Sequence, residues 1–384
     1  MKILRRMYRK FEEKRLVRRA DAFLRERSLN IKNRKFDPTS LFPDSFGNRR
    51  LIILSSRLDL QGRNFFVESL KFIILRNLPD DLVKDDVILF LGYSDFLENL
   101  RKIQNLGHHN IIFLEAGFLR GVLMDGSNSI YDRAYCFFLD DIGFHYDSTN
   151  PSRLQVMLND PSFSIEPEQL SRSRALNNFI IRNHLTKYND QNPLQRPDKP
   201  SERSKVLVVE QARDDWAVVK SGGRNHSFRD MLSTAISQNP DAEILIKVHP
   251  DTINGKRGGL RKSYFGRIHD AERVTVMREK VNPISLLQSV DKVYVFSSML
   301  GFEAAIMGKE VHVFGRPCYA GWGATIDYAD FSDRTVKRTL DELFYVIYFV
   351  YQKYKDDLGN WTSAEVASQR ILELRDQYFE EVSK

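Results

Sequence analysis

Three short strings hold side chains suited to binding a phosphate or moving a proton. Ser297 and Ser298 close a β-branched and aromatic run, Val293 to Phe296. A helically spaced set follows at once (Leu300, Phe302, Ala305, Ile306), ending at Gly308. Hydroxyls and backbone N–H groups at a helix N-terminus form an anion site, and after a strand they suit a nucleotide phosphate. His249-Pro250 ends a second run, Ile244 to Val248, where the imidazole can donate to a phosphate oxygen and the proline fixes the turn. Glu210 to Asp215 follows a third run, Lys205 to Val209, with adjacent acids Asp214 and Asp215 that face a cleft, cap a helix or are solvated. Acids also follow strands earlier in the chain, at Glu115 and at Asp140-Asp141, with Arg120 available for a carboxylate or phosphate. Each of these has a plain structural alternative as a turn, a cap or a packed side chain. No HxxxH, CxxC or Asp-x-Asp set is placed to argue for a metal.

The elements that must position them alternate in type. In the first part, strands are predicted at Leu51–Leu54, Val87–Leu91, Asn110–Leu114 and Ala134–Leu139, with helices at Val67–Leu75, Tyr93–Leu106 and 168–187. The stretch from Asn189 to Arg203 is polar and carries Pro193, Pro197 and Pro200, which marks a linker. A second alternation runs through Lys205–Val209, Ile244–Val248, Val274–Met277, Val293–Phe296 and Val311–Phe314, and 338–384 reads as terminal helices. Such alternation predicts parallel, helix-flanked sheets. The expected division is an arm over 1–44, a Rossmann-like domain over 45–188, a linker over 189–204, a second Rossmann-like domain over 205–330 and helices over 331–384.

At 384 residues, 42% hydrophobic and 28% charged, the chain has room for two domains of ordinary globular composition. Cys136 and Cys318 are too few for a disulfide framework, and no apolar run reaches ~20 residues. The net charge of +7 is uneven: residues 1–35 carry 14 Lys/Arg against four acids, a net of +10 that leaves −3 for the remainder. Apolar residues from Ile3 to Phe23 recur through this stretch at roughly helical spacing. A basic amphipathic helix on an anionic membrane fits, as does a helix packed on the body; no nucleic-acid recognition motif accompanies the charge.

The wording is more specific than the pattern. SSxxGFEA over 297–304, followed by GRPCYAGWG from Gly315, resembles the capsule-polysaccharide family of bacterial Kdo transferases, which use CMP-Kdo as donor. The likeness covers roughly 85–325 and extends to LEAGFLR at Leu114 and to the Asp140-Asp141 segment through Tyr146-Asp147 and Ser152-Arg153-Leu154. Ala116 stands where the family has an acid, Gly121 where it has a serine and His145 where it has a tyrosine.

The resemblance implies a GT-B plan, an α/β fold of two Rossmann-like domains facing a cleft. It implies a donor set of Gln211, Lys247, His249, Pro250, Ser297, Ser298 and Glu303. The family's Gln followed four residues later by Asp selects Asp215 as nucleophile of a retaining double displacement, with Asp214 in reserve. Asp141 and Glu115 are the candidate acceptor bases, and Arg120, Asp140 and Lys256 (in the turn Asn254 to Gly259) candidate contacts to acceptor or substrate carboxylate. CMP-Kdo is then a co-substrate, with no cofactor and no metal. The acceptor is a glycan or lipid-linked oligosaccharide, and the place of work is the cytoplasmic side of an anionic inner membrane, peripherally attached. Longer family members hold two such modules and this chain has room for one. An inverting, sialyltransferase-like CMP-sugar transferase and a non-catalytic glycan-binding module are the alternatives.

Overall fold

The computed structural model describes residues 2–33, 50–54, 72–75, 78–106, 110–123, 127, 129–187, 189–194, 202–213, 215–222, 225–249, 252, 263–265, 268 and 271–383. Pro250, Asp214 and the Asn254 to Gly259 turn with Lys256 lie outside the described residues.

The second half shows most directly how its apolar runs become a sheet. Strands β6 (Lys205–Val209), β7 (Glu243–Lys247), β8 (Val274–Met277), β9 (Lys292–Val295), β10 (Glu310–Val313) and β11 (Ile326–Asp327) form a sheet of order β11-β10-β9-β6-β7-β8. Every pairing in it is parallel. Because successive side chains point to opposite faces, Val206, Val208, Ile244 and Ile246 enter one core, and Leu207, Val209, Leu245 and Val293 enter another. Burial on both faces explains why β6, β7 and β9 read as nearly continuous apolar runs. The strand order is that of a Rossmann sheet, with its reversal point between β6 and β9.

The first half is a mixed 7-stranded sheet of order β13-β12-β5-β4-β3-β1-β2. β1 (Leu51–Leu54), β2 (Phe72–Leu75), β3 (Val87–Leu91) and β4 (Asn110–Ala116) are parallel, and β5 (Cys136–Asp140) is antiparallel to β4. The helix expected over 168–187 ends at Arg182, β5 runs against the parallel order expected, and two further stretches differ in type. The described part of Val67–Leu75 is strand β2, not helix; a short Phe-Ile-Ile-Leu run suits either state, and pairing with β1 decides it. The C-terminal region is not only helical: after a π-helical turn at Val346–Tyr351, β12 (Gln352–Lys355) and β13 (Trp361–Thr362) return to the first sheet, with β12 antiparallel to β5.

Helices cover both sheets. They are α1 (Lys2–Ile31), α2 (Tyr93–Leu106), α3 (Arg153–Leu158), α4 (Pro167–Arg182), α5 (Trp216–Lys220), α6 (Asn225–Gln238), α7 (Pro283–Gln288), α8 (Leu300–Ile306), α9 (Leu340–Tyr345) and α10 (Ala364–Val382). The later part of α1 packs on the body: Ala20, Phe23, Leu24 and Ile31 are buried, and Phe23 meets Phe96 of α2 at 6.0 Å between centroids. Among the described residues no helix is long and apolar enough to cross a membrane.

Candidate active site

A cavity of about 470 Å3 opens between the halves. The first half supplies the ends of β3 and β4 (Leu91 to Asp95, Glu115, Ala116), with Phe118, Arg120, His145 and Tyr146; the crossover supplies Lys187. The second half supplies Asp215, Trp216, Ala217, Ser297, Met299, Pro317 and Cys318. Gly92 lets β3 turn directly into α2 at the rim: its φ of +86° is left-handed, and a Cβ there would stand 3.4 Å from Glu115 Oε1.

The second half's contribution sits at its sheet reversal. Gln211, just past β6, and Ser297, just past β9, are buried and bonded to each other: Ser297 N–H donates to Gln211 Oε1 at 2.8 Å, and Gln211 Nε2 donates to Ser297 Oγ at 3.1 Å. Ser297 Oγ also donates to the Ala217 carbonyl at 3.1 Å. Both residues therefore clamp the two strand ends and α5 together. Asp215 is the N-cap of α5 and accepts from Ala217 N–H at 3.0 Å, which fixes the carboxylate in the cavity wall. Ser298 Oγ accepts from Leu300 N–H at 3.2 Å, and the Ser298 carbonyl accepts from Tyr319 Oη at 2.6 Å.

On the facing wall, Tyr146 Oη donates to Glu115 Oε1 at 2.9 Å. Burial, with the negative charges of Glu115 and Asp215 adding to it, raises the Tyr146 phenol well above its ordinary value, so it remains a donor. His145 is driven down to about 3 by burial and by Lys187, and is neutral. Trp216 spans the halves, donating Nε1 to Ser94 Oγ at 2.9 Å with its ring 4.7 Å from Tyr93.

Of the residues expected at the site, Glu115, Arg120, Asp215 and Ser297 line this cavity, and several others do structural work elsewhere. Asp141 is held in a two-pronged pair by Arg153, at 2.8 and 2.7 Å, and Arg153 also donates to the Ile31 and Lys32 carbonyls at the end of α1. Asp141 thus anchors α1 and is not among the residues that line the cavity. Asp140 is fully buried and accepts four bonds, from Ile142 and Gly143 N–H (2.8 and 3.0 Å), Arg153 N–H (2.7 Å) and Tyr351 Oη (2.8 Å). Burial and Asp141 raise its acid to about 6, and it contacts no cavity space.

Lys247 is buried, donates to the Glu279 carbonyl, and is lowered to about 8 by burial. His249 N–H donates to Glu210 Oε2 at 3.3 Å. Glu210, read earlier only as part of an acidic run, is the hub of that loop, also accepting from Tyr264 N–H (2.5 Å), Phe265 N–H (3.3 Å) and Ser263 Oγ. Glu303 on α8 is raised to about 8 by burial, against the pull of Lys187. Arg120 pairs with Asp132 at 3.7 Å, both buried. Trp322 and Tyr319 are core residues: both are about 1% exposed, and Trp322 Nε1 donates to the Cys318 carbonyl at 2.8 Å.

Reasoning from sequence missed Lys187 and Tyr146 as cavity residues. Tyr146 lay inside a family-like string, whereas Lys187 had no signal beyond its place next to the linker. Among the described residues no group of three or more His, Cys, Asp or Glu could hold a metal ion.

Two Rossmann-like halves facing a cavity, with the nucleotide-type sheet reversal opening onto it, define the GT-B class of glycosyltransferase fold. The chain belongs to the capsule polysaccharide biosynthesis protein family, which it matches over residues 86–354. It is 38% identical over 255 residues to the capsule polysaccharide modification protein LipA of Neisseria meningitidis serogroup B, covering 63% of this chain and 35% of LipA. It is 35% identical over 243 residues to the lipopolysaccharide-processing protein LpsZ of Rhizobium meliloti, covering 63% of this chain and 53% of LpsZ. The matched region thus spans about a third to a half of these relatives' length. Among solved structures, the KpsC β-Kdo 2,4 transferase of Thermosulfurimonas dismutans superposes with a TM-score of 0.73 at 30% identity, over 84% of this chain and 98% of that one. The β-Kdo 2,7 transferase of the same KpsC shares the fold, with a TM-score of 0.63 at 22% identity.

Proposed function

We propose that the chain is a retaining β-Kdo transferase that moves Kdo from CMP-Kdo to a glycan or lipid-linked acceptor in capsule or lipopolysaccharide synthesis. The observation that carries this reading is the placement of Asp215 and the Tyr146-supported Glu115 in one cavity whose other wall is the Rossmann reversal point. The likeness to a solved β-Kdo transferase supplies the sugar.

In this scheme the bond from the anomeric carbon to the CMP oxygen breaks, CMP leaves, and a carboxylate oxygen of Asp215 bonds to that carbon. The acceptor hydroxyl then attacks from the original side, Glu115 takes its proton, and Asp215 is released as carboxylate. Two inversions give net retention. CMP departs readily, so charge stabilisation rather than a metal is asked of the site; CMP-Kdo is the co-substrate and no cofactor takes part. His249 and Ser298, at strand ends of the second half, are the groups nearest in role to the phosphate. Work at the cytoplasmic face of the inner membrane follows from a lipid-linked acceptor and from the +5 carried by Lys2, Arg5, Arg6, Arg9 and Lys10.

The test is intact-protein mass spectrometry with CMP-Kdo and no acceptor. A donor-dependent adduct on the peptide containing Asp215, lost in Asp215→Ala, supports the scheme. A product of inverted anomeric configuration by NMR, or an adduct on another residue, overturns it.

A further inference from the structure

The crossover from the first half to the second is built to carry one lysine to the cavity. α4 gives way to His184, whose φ of 52° is the one positive value at a non-glycine residue among those described. That conformation needs support, and the second half provides it: His184 Nδ1 lies 2.9 Å from Ser285 Oγ, and the His184 carbonyl accepts from Asn282 Nδ2 at 3.0 Å. Farther on, the fully buried Asn189 accepts from Thr186 N–H at 2.8 Å and donates to the Thr186 and Gly121 carbonyls at 2.8 and 2.7 Å. Its own N–H donates to the Val122 carbonyl at 3.3 Å. Lys187 lies between these two clamps and lines the cavity.

Its charge reaches Glu303, His145 and Cys136. Burial keeps Glu303 largely protonated near neutral pH, raised to about 8, and keeps His145 neutral. Arg120, the other cationic lining residue among those described, is buried and stands 3.7 Å from Asp132. The same cavity holds the acids Asp95, Glu115 and Asp215, which repel an incoming anion. A keto-sugar acid carries its carboxylate on the reacting carbon, so that group must enter next to the nucleophile and needs a cation there.

We propose that Lys187 binds the carboxylate of the donor's sugar acid and so selects acidic keto-sugar donors over neutral ones. This rests on the CMP-Kdo reading given above. The experiment compares wild type, Lys187→Met and Lys187→Arg for donor KM with CMP-Kdo, for inhibition by CMP alone, and with the donor's carboxylate converted to a neutral amide. Loss of a charge-assisted hydrogen bond is expected to raise the donor KM roughly 10- to 100-fold in Lys187→Met. CMP inhibition should stay within about twofold, since CMP lacks the group Lys187 meets, and Lys187→Arg should recover most of the loss. On the wild type the amide should be a poor donor, and that arm stands alone should Lys187→Met fail to fold. An unchanged donor KM, CMP affinity falling in parallel, or an amide as good as the acid each overturns the assignment. Wild type inactive with CMP-Kdo but active with another CMP-sugar overturns the donor reading, and this inference with it.

Discussion

Lys220, at the end of the helix that Asp215 caps, places its ammonium 2.9 Å from Asp147 Oδ2 on the opposite half of the molecule. Both side chains are buried, and the same ammonium reaches Asp21 of α1 at 2.5 Å and Thr149 Oγ1 at 3.1 Å. The candidate nucleophile and the joint between N-terminal helix, first half and second half are thus opposite ends of one short helix. Lys220→Met leaves Asp147 buried without its cation and is expected to cost about 3–5 kcal/mol. Urea denaturation measures it; a loss below ~1 kcal/mol would mean that solvent reaches the cluster.

Asp141 and Asp215 should part company under the same substitution. Asp215→Asn is expected to remove transfer while leaving the midpoint of unfolding nearly unchanged. Asp141→Asn removes half of a buried ion pair with Arg153, so it should lower stability by about 3 kcal/mol and leave activity per folded molecule within a few-fold. Paired unfolding and turnover assays on the two variants check this, and the reverse pattern would return Asp141 to the site.

Glu115→Gln should slow transfer by ~10²- to 10⁴-fold, the range for a lost general base. Tyr146→Phe, which removes only the donor to Glu115 Oε1, should cost less than Glu115→Gln and lower turnover rather than abolish it. pH–rate profiles of the three proteins compare them directly.

Glu303 makes a prediction about stability and pH. Its acid is raised from 4.5 to about 8, so the folded state keeps a proton that the unfolded state releases near 4.5. Between those values folding binds the extra proton, and stability falls as pH rises. Thermal unfolding at pH 5.5 and pH 8 should show a larger drop for wild type than for Glu303→Gln; equal drops would show that Glu303 is ionised in the fold.

The arm calls for a short deletion rather than a long one. Ala20, Phe23, Leu24 and Arg27 are buried against the first half, so removing residues 1–35 would open its core. Removing residues 1–11 takes away Lys2, Arg5, Arg6, Arg9 and Lys10 and spares those contacts. That truncation should lose cosedimentation with anionic vesicles and keep its unfolding midpoint, with salt weakening the intact chain likewise.

The second half was legible because five of its six strands announce themselves as apolar runs, each falling within a residue of the expected limits; the two-residue β11 was not expected. The cavity positions of Asp215 and Glu115 could be read because each lies past such a run, Asp215 also standing at the family's spacing after Gln211. Asp141 could not: its partner Arg153 is visible in the sequence, but the α1 carbonyls that Arg153 also holds come from 122 positions away. Strand β12 was hidden for a similar reason. Gln352-Lys353-Tyr354-Lys355 alternates polar and aromatic residues without an apolar run, and its partner β5 lies more than 200 residues earlier. Lys187 owes its position to a left-handed histidine and a buried asparagine, neither of which marks a site by residue type.

The return of β12 and β13 to the first sheet makes the nucleotide-type half a guest inserted into its host. A single cut between the halves takes β12 from the side of β5 and strips Phe118 N–H of the Gln352 side chain it donates to at 2.7 Å. Recombination at one crossover point therefore yields broken hosts. Exchange of the second half between relatives takes two crossovers, one in each chain segment that joins it to the first half, so that the guest moves as a whole cassette.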